Sequence, residues 1–325
     1  MKLAIFGAGM IVKDFLTMID DLPEIELTAI MGVENDLSTM KEFQKEHKIK
    51  KIYTDVNECL KDPEIDTVYV ALPNFLHFRF AKLVLQAGKN VICEKPFTLD
   101  SEQLLELKQL AEEKQLILVE AITNQYLSNY QSVKDDLPQL GKIKVIECNY
   151  SQYSHRYDAF KAGKILPVFD PKKGGGALMD LNIYNIHFVV GIMGKPQAVH
   201  YYANVERGID TSGILVLDYP GTKVVCIAAK DCAAKVTSTI QGDEGSITVD
   251  GPVNVLSDYT ETLNGQAATK IDKKVHQHRM FQEFKFFNQM ITEHDLREAA
   301  KRMEHSLTVM GVVDVALADS KIKLG

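Results

Sequence analysis

The sequence predicts an α/β chain, in which a doubly wound parallel sheet is followed by an α+β half with a largely antiparallel sheet. Three observations point there. Strand-like and helix-like patterns alternate through the first 121 residues, the order that a parallel sheet with crossover helices requires. Beyond residue 121 strand-like runs follow one another directly across short polar turns, as hairpins do. The chain has 325 residues, and at roughly one domain per ~150 residues two domains are expected, 1–121 and 122–325.

Taken in order, Lys2–Phe6 is a short apolar strand. Residues 10–20 repeat apolar side chains at Ile11, Phe15, Met18 and Ile19, a helical spacing. Residues 26–31 read as the second strand, and 37–48 as a polar helix with Met40 and Phe43 on one side. A strand at 52–54, a short helical piece at 57–60 and a β-branched strand at 67–71 follow. Residues 77–87 form an amphipathic helix that Gly88 terminates, glycine being tolerant of left-handed geometry. A strand at 90–93, a helix at 101–113 capped by Asp100 or Ser101, and a strand at 116–119 close this half. In the second half the strands are 142–153, 198–206, 213–219, 223–229, 235–241 and 246–249, with turn signals at Pro220-Gly221 and 242–245. A helix at 177–193 interrupts them, and helices at 279–292 and 296–319 end the chain.

Composition excludes several classes. There are 37 Lys and Arg against 44 Asp and Glu, a net charge of −7, and no large basic cluster. A nucleic-acid or anionic-membrane partner is therefore not expected. Uninterrupted apolar runs fall far short of the ~20 residues that span a bilayer. The N-terminal apolar run stops at Gly7 after four residues, which is not the shape of an export signal. Five scattered cysteines with no Cys-x-x-Cys pair read as reduced thiols, so a cytoplasmic chain is expected. His276 and His278 are the only local pair of metal-type ligands and sit in a polar stretch, so no metal is expected.

Four motifs carry chemistry. Gly7-Ala8-Gly9-Met10-Ile11-Val12 lies between the first strand and the first helix, where glycines let backbone N–H groups approach a dinucleotide pyrophosphate. The helix start adds its positive dipole end. Val12 stands at the third glycine position and should loosen helix–strand packing. Beyond the second strand, Glu34 and Asp36 are the acids available for an adenosine ribose, no arginine is near for a 2′-phosphate, and Lys41 and Lys45 follow on the next helix. NAD and NADP stay open, with NAD slightly favoured. Glu94-Lys95-Pro96 comes directly after the 90–93 strand, at the sheet edge where such folds bind ligands. Gly174-Gly175-Gly176 allows close backbone approach, and the helix after it carries Asp180, Tyr184 and His187, whose spacing puts all three on one helical face. Arg156, within Ser154-His155-Arg156-Tyr157-Asp158, is a further candidate for binding substrate hydroxyls or an anionic group.

These motifs, with Leu72-Pro73-Asn74-Phe75-Leu76-His77, Ala87-Gly88-Lys89, Glu120-Ala121 and Gly174 to Asp180, resemble the glucose–fructose oxidoreductase and inositol dehydrogenase family, Gfo/Idh/MocA, in its dihydrodiol dehydrogenase-like branch. The resemblance covers nearly the whole chain. It implies a Rossmann domain that binds the cofactor through Gly7, Gly9, Met10, Ile11, Glu34, Pro73, Asn74, His77, Glu94, Lys95 and Glu120. It also implies that Lys95 reaches nicotinamide ribose and substrate, with Glu120 supporting the nicotinamide end. Many relatives carry His four residues after the Asp; here that position is Tyr184, and His187 follows one turn later.

The expected activity is hydride transfer between NAD or NADP and a hydroxyl or carbonyl carbon of a sugar, polyol or related cyclic alcohol. Lys95, Asp180, Tyr184 and His187 are the expected catalytic residues. Arg156 joins them in binding substrate. The acid/base group is Tyr184 or His187. A homodimer or homotetramer through the C-terminal sheet is also implied. Two other readings compete: a nicotinamide-dependent glycoside hydrolase on the same fold, and a non-catalytic NAD(P)-sensing protein.

Overall fold

In the computed structural model, which describes residues 1–325, β1 (Lys2–Phe6) lies inside a six-stranded sheet. From it the chain runs through α1 (Met10–Leu16), β2 (Glu26–Met31), α2 (Leu37–His47), β3 (Lys51–Tyr53), α3 (Val56–Lys61), β4 (Thr67–Val70), α4 (His77–Gln86), β5 (Asn90–Glu94), α5 (Ser101–Lys114) and β6 (Leu118–Ala121). The strand order is β3-β2-β1-β4-β5-β6, every pair parallel. Order reverses between β1 and β4, the switch point at whose carboxyl edge ligands bind in this topology. Leu3 to Phe6 and Val68 to Val70 are fully buried, as strands covered on both faces must be. Asp100 caps α5 by accepting from the Gln103 N–H at 2.8 Å. The helix expected over 10–20 ends at Leu16; the Thr17 hydroxyl bonds back to the Asp14 carbonyl, and a separate 3₁₀ turn follows at Ile19–Asp21.

The second sheet has eight strands. The elements are α6 (Ser128–Asp136), β7 (Ile143–Ser151), α7 (His155–Lys161), α8 (Ile183–Met193), β8 (Ala198–Glu206), β9 (Ile209–Tyr219), β10 (Thr222–Ala229), β11 (Thr237–Gly242), β12 (Gly245–Asp250), β13 (Tyr259–Leu263) and β14 (Thr269–Ile271). Their order is β14-β13-β12-β11-β7-β10-β9-β8. Neighbours are antiparallel except β7 and β10, which run parallel. The stretch Pro171–Met193 is long and apolar enough to cross a bilayer, contrary to the expectation from uninterrupted runs, but 72% of its most apolar window is buried inside the protein. It is a core segment. Four cysteines are buried and Cys232 is exposed.

The chain divides into two units, Met1–Ala121 with Met280–Glu304, and Ile122–Arg279 with His305–Gly325. The expected second domain, 122–325, is thereby corrected: α9 (Phe281–Thr292) and the beginning of α10 (Leu296–Asp319) belong with the first unit. The reason is packing. Phe284 on α9 meets Phe15 on α1 at 4.3 Å between ring centroids and Tyr69 on β4 at 5.0 Å, all three fully buried. Lys108 on α5 pairs with Glu304 at 3.3 Å.

Candidate active site

In the first unit the expected residues gather along the carboxyl edge of the parallel sheet. Gly7 has φ +114°, and a side chain there would overlap the Ala71 carbonyl oxygen at the end of β4. This turn therefore needs glycine. Gly9 differs: its φ is −81°, and no atom lies within 4 Å of where a Cβ would sit. The space over Gly9 is open, no side chain caps α1, and its first turn carries no acid, so its leading N–H groups are available to phosphate oxygens. These residues fit a dinucleotide. Met10 is 72% exposed and Ile11 half-buried. Val12 is fully buried and fills the third glycine position by packing.

Beyond β2, Glu34 is exposed and opens a 3₁₀ turn, Glu34–Asp36, that leads into α2. Pro73 and Asn74 follow β4, Pro73 exposed and Asn74 half-buried. His77, expected along the cofactor, has no exposed surface. Its Nδ1 sits 2.8 Å from the Pro96 carbonyl and its Nε2 2.7 Å from that of Leu72, so it ties the β4 loop to the β5 loop. Burial pulls its pKa below the ordinary value, against the raising effect of the two carbonyls and Glu120, while Lys95 adds to the lowering. Lys95, half-buried just past β5, and Glu120 in β6 are thus near enough to His77 to act on it. Glu94 and Glu120 are both buried. Glu94 accepts from the Tyr69 hydroxyl, which makes it a support of the edge.

The second unit holds a cavity of about 420 Å³ lined by Gln152, Tyr153, Ser154, His155, Arg156, Asp180, Leu181 and Lys230. Gly176, at φ +104°, passes so close to Asp210 that a side chain would overlap its carboxylate. Asp210 accepts from the Leu178 N–H at 2.6 Å and the Tyr201 hydroxyl at 2.7 Å. Burial pushes its pKa up to about 6, although Tyr201, the Leu178 N–H and the Lys230 charge each pull it down.

Anchored there, Leu178–Asn182 forms a π-helical turn before α8 begins. Asp180, Tyr184 and His187 are the three residues expected to share one face of this segment. Only Asp180 lines the cavity. Tyr184 keeps 9% of its surface, with its ring 6.2 Å from that of Tyr150. His187 has no exposed surface, and its Nδ1 lies 3.0 Å from His305 Nε2.

Lys230 is the residue that sequence reasoning missed. Its side chain is 3% exposed, and its ammonium pairs with Asp180 Oδ2 at 2.8 Å. It also donates to the Val168 carbonyl at 2.7 Å and stands 4.6 Å from the centre of the Phe169 ring. The only available signal was a lysine placed directly after the apolar strand 223–229.

Comparison with known proteins agrees with both halves. Residues 1–122 match the oxidoreductase family with an NAD-binding Rossmann fold, and residues 137–248 match the GFO/IDH/MocA C-terminal domain. Scyllo-inositol 2-dehydrogenase (NADP(+)) IolU of Bacillus subtilis is 31% identical over 320 residues, covering 97% of this chain and 95% of that one. The trans-1,2-dihydrobenzene-1,2-diol dehydrogenase of Xenopus laevis is 30% identical over 277 residues, covering 83% and 81%. Among solved structures, KijD10, a 3-ketoreductase from Actinomadura kijaniata in complex with NADP and TDP-benzene, shares the fold with a TM-score of 0.84 at 21% identity, over 98% of this chain and 97% of that one.

Proposed function

This chain belongs to the GFO/IDH/MocA family and is an NAD(P)-dependent oxidoreductase, and we propose that it interconverts a hydroxyl and a carbonyl group on a sugar, polyol or related cyclic alcohol. The observation that carries the substrate class is the 420 Å³ cavity, whose lining is hydrogen-bonding side chains apart from Leu181. Such a wall suits a ligand covered in hydroxyls. The relatives named for an inositol and for a cyclic diol support the same class.

When bound, the nicotinamide supplies or accepts the hydride. The chain does the rest. Backbone N–H groups of Ala8 to Met10 would hold the pyrophosphate, the Gly7 N–H being donated to the Met31 carbonyl at 2.8 Å; Pro73 and Asn74 would border it, and Lys95 offers an ammonium at the sheet edge. Asp180, paired with Lys230, accepts hydrogen bonds from substrate hydroxyls and so orients the carbon to be oxidised. Tyr184 exchanges the hydroxyl proton; between the two expected candidates it is the one that retains exposed surface, and His187 with His305 braces α8 behind it. Glu34 sets the choice of cofactor. Its exposed carboxylate disfavours a 2′-phosphate, which supports NAD, whereas the relatives named with NADP(+) and NADP point the other way. Self-association through the eight-stranded sheet is part of this reading, supported by exposed Val145, Tyr202 and Ile214 on one face, and light scattering measures it.

The test is a screen of purified protein with both cofactors against inositols, aldoses and cyclic diols, read by nicotinamide absorbance. Single-turnover kinetics of Tyr184→Phe and His187→Asn then assign the proton carrier. We expect a loss of roughly 10²–10⁴ in the chemical step for Tyr184→Phe, and a larger loss for His187→Asn reverses the assignment. Release of a free sugar without net cofactor change identifies the hydrolase instead. Failure across the panel leaves the sensing reading.

A further inference from the structure

We propose that the cavity of the second unit selects a substrate bearing an anionic group, a carboxylate or a phosphate ester, and that Arg156 is the residue that reads it. The proposal rests on the reading above for the reaction but not for the binding.

The argument is a charge inventory of the cavity wall. Of its lining residues only Asp180 carries negative charge, and its partner is the Lys230 ammonium at 2.8 Å. Lys230 spends a further donor on the Val168 carbonyl. With that pair cancelled, no residue in the wall remains to supply a negative charge, while Arg156 supplies a positive one and His155 none or a positive one.

Arg156 also has no acid of its own. Asp158 accepts from the Tyr153 hydroxyl at 2.7 Å and pairs with Lys161 at 3.0 Å. Glu206 accepts from the Tyr157 hydroxyl. Asp231 receives the hydroxyls of Thr211 and Ser212. Each carboxylate bound to α7, or flanking Lys230 in the chain, is engaged elsewhere, and the Arg156 side chain is left exposed.

The guanidinium is nevertheless presented from an anchored position. Ser154 caps α7 by accepting from the Arg156 N–H at 3.3 Å. The far end of α7 is tied down by Arg207, which donates to the Phe160 carbonyl. A planar guanidinium matches carboxylate and phosphate oxygens two at a time. The chain carries a net charge of −7, so a cationic wall in a ligand-sized cavity runs against its overall balance of charge. A neutral polyol would leave this charge unused.

The experiment is calorimetric titration of the full-length protein with glucuronate, glucose 6-phosphate and, as the neutral reference, glucose. It is run on the wild type, Arg156→Gln and Arg156→Lys, at low and high salt. We expect at least one anionic probe to bind about 10-fold or more tightly than glucose. The carboxylate and phosphate arms show which group is read. Arg156→Gln should collapse that preference, Arg156→Lys should restore part of it, and added salt should weaken it. Equal binding of charged and neutral probes, absence of binding by all three, or a preference that survives Arg156→Gln overturns the proposal. Turnover of neutral alcohols alongside that result would leave the proposed reaction standing. Selective anion binding without any turnover would sink the reaction and leave Arg156 as an anion reader.

Discussion

Asp210→Asn tests whether the carboxylate under the glycine run is held at an energetic cost. Asp210 is fully buried, with a pKa raised by that burial from 3.8 to about 6. Below pH 3.8 the folded and unfolded chains both carry its proton. As pH rises from about 4 to 6 the unfolded chain releases the proton while the folded one keeps it, so stability present at low pH is lost through this window. Worked from the two pKa values, the loss is about 2 kcal/mol at pH 5 and about 3 kcal/mol at pH 7. An asparagine oxygen can still accept from the Leu178 N–H and the Tyr201 hydroxyl, and it has nothing to ionise.

The stability difference, variant minus wild type, should therefore grow by about 3 kcal/mol between pH 3.5 and pH 7. The chain has no tryptophan, so urea denaturation is followed by circular dichroism at matched pH values. Other carboxylates titrate in both proteins and cancel in the difference. A pair of stability-against-pH curves that stay parallel within about 0.5 kcal/mol would refute the reasoning, because a constant offset reports contacts and not ionisation.

Three further outcomes concern the first unit. Gly9→Val should weaken dinucleotide binding by about 2 kcal/mol or more with folding stability near wild type, since the site is open and its φ of −81° suits any residue; unchanged affinity by calorimetry removes this loop from the site. Glu34→Lys should move the ratio of NADP(H) to NAD(H) use upward by on the order of 10-fold, because it replaces a repelling charge with an attracting one; an unchanged ratio of kcat/KM values shows that Glu34 does not face the adenosine ribose. Lys95→Met keeps the length of the side chain and removes its charge, so turnover should fall by on the order of 10² while cofactor affinity drops modestly; near-normal turnover makes Lys95 a surface charge.

The parallel half was legible because its strands are buried on both faces and its helices show one apolar side. Lys2–Phe6 and Glu26–Met31 coincide with β1 and β2. Period reports which face is apolar but not what will cover it. For that reason the helix carrying Phe284 was read as a helix but given to the wrong unit, its partners Phe15 and Tyr69 lying more than 200 residues earlier. Polar elements left no pattern at all. Strands β13 and β14 carry Thr, Glu and Lys at the sheet edge, and α6 and α7 are short and largely polar, so none of them stood out from loops.

The site divides along the same line. Gly7, Gly9 and Lys95 stand out as candidates in the sequence because each lies in a local turn at a strand end. The cavity of the second unit does not, and one pairing explains why. Hairpin-like runs predict antiparallel neighbours, in which adjacent strands exit at opposite edges. Here β7 and β10 are parallel, with Ser151 opposite Ala229, so the residues that follow each strand emerge side by side: 152–156 after β7, and Lys230 after β10. The Ser154 N–H donates to the Lys230 carbonyl at 2.9 Å, fixing the two exits together. The π-helical turn then presents Asp180 to the same edge. A lysine that reads as the end of an ordinary strand becomes the partner of a candidate substrate-orienting carboxylate, because a single parallel pair in an otherwise antiparallel sheet brings both strand ends to one wall.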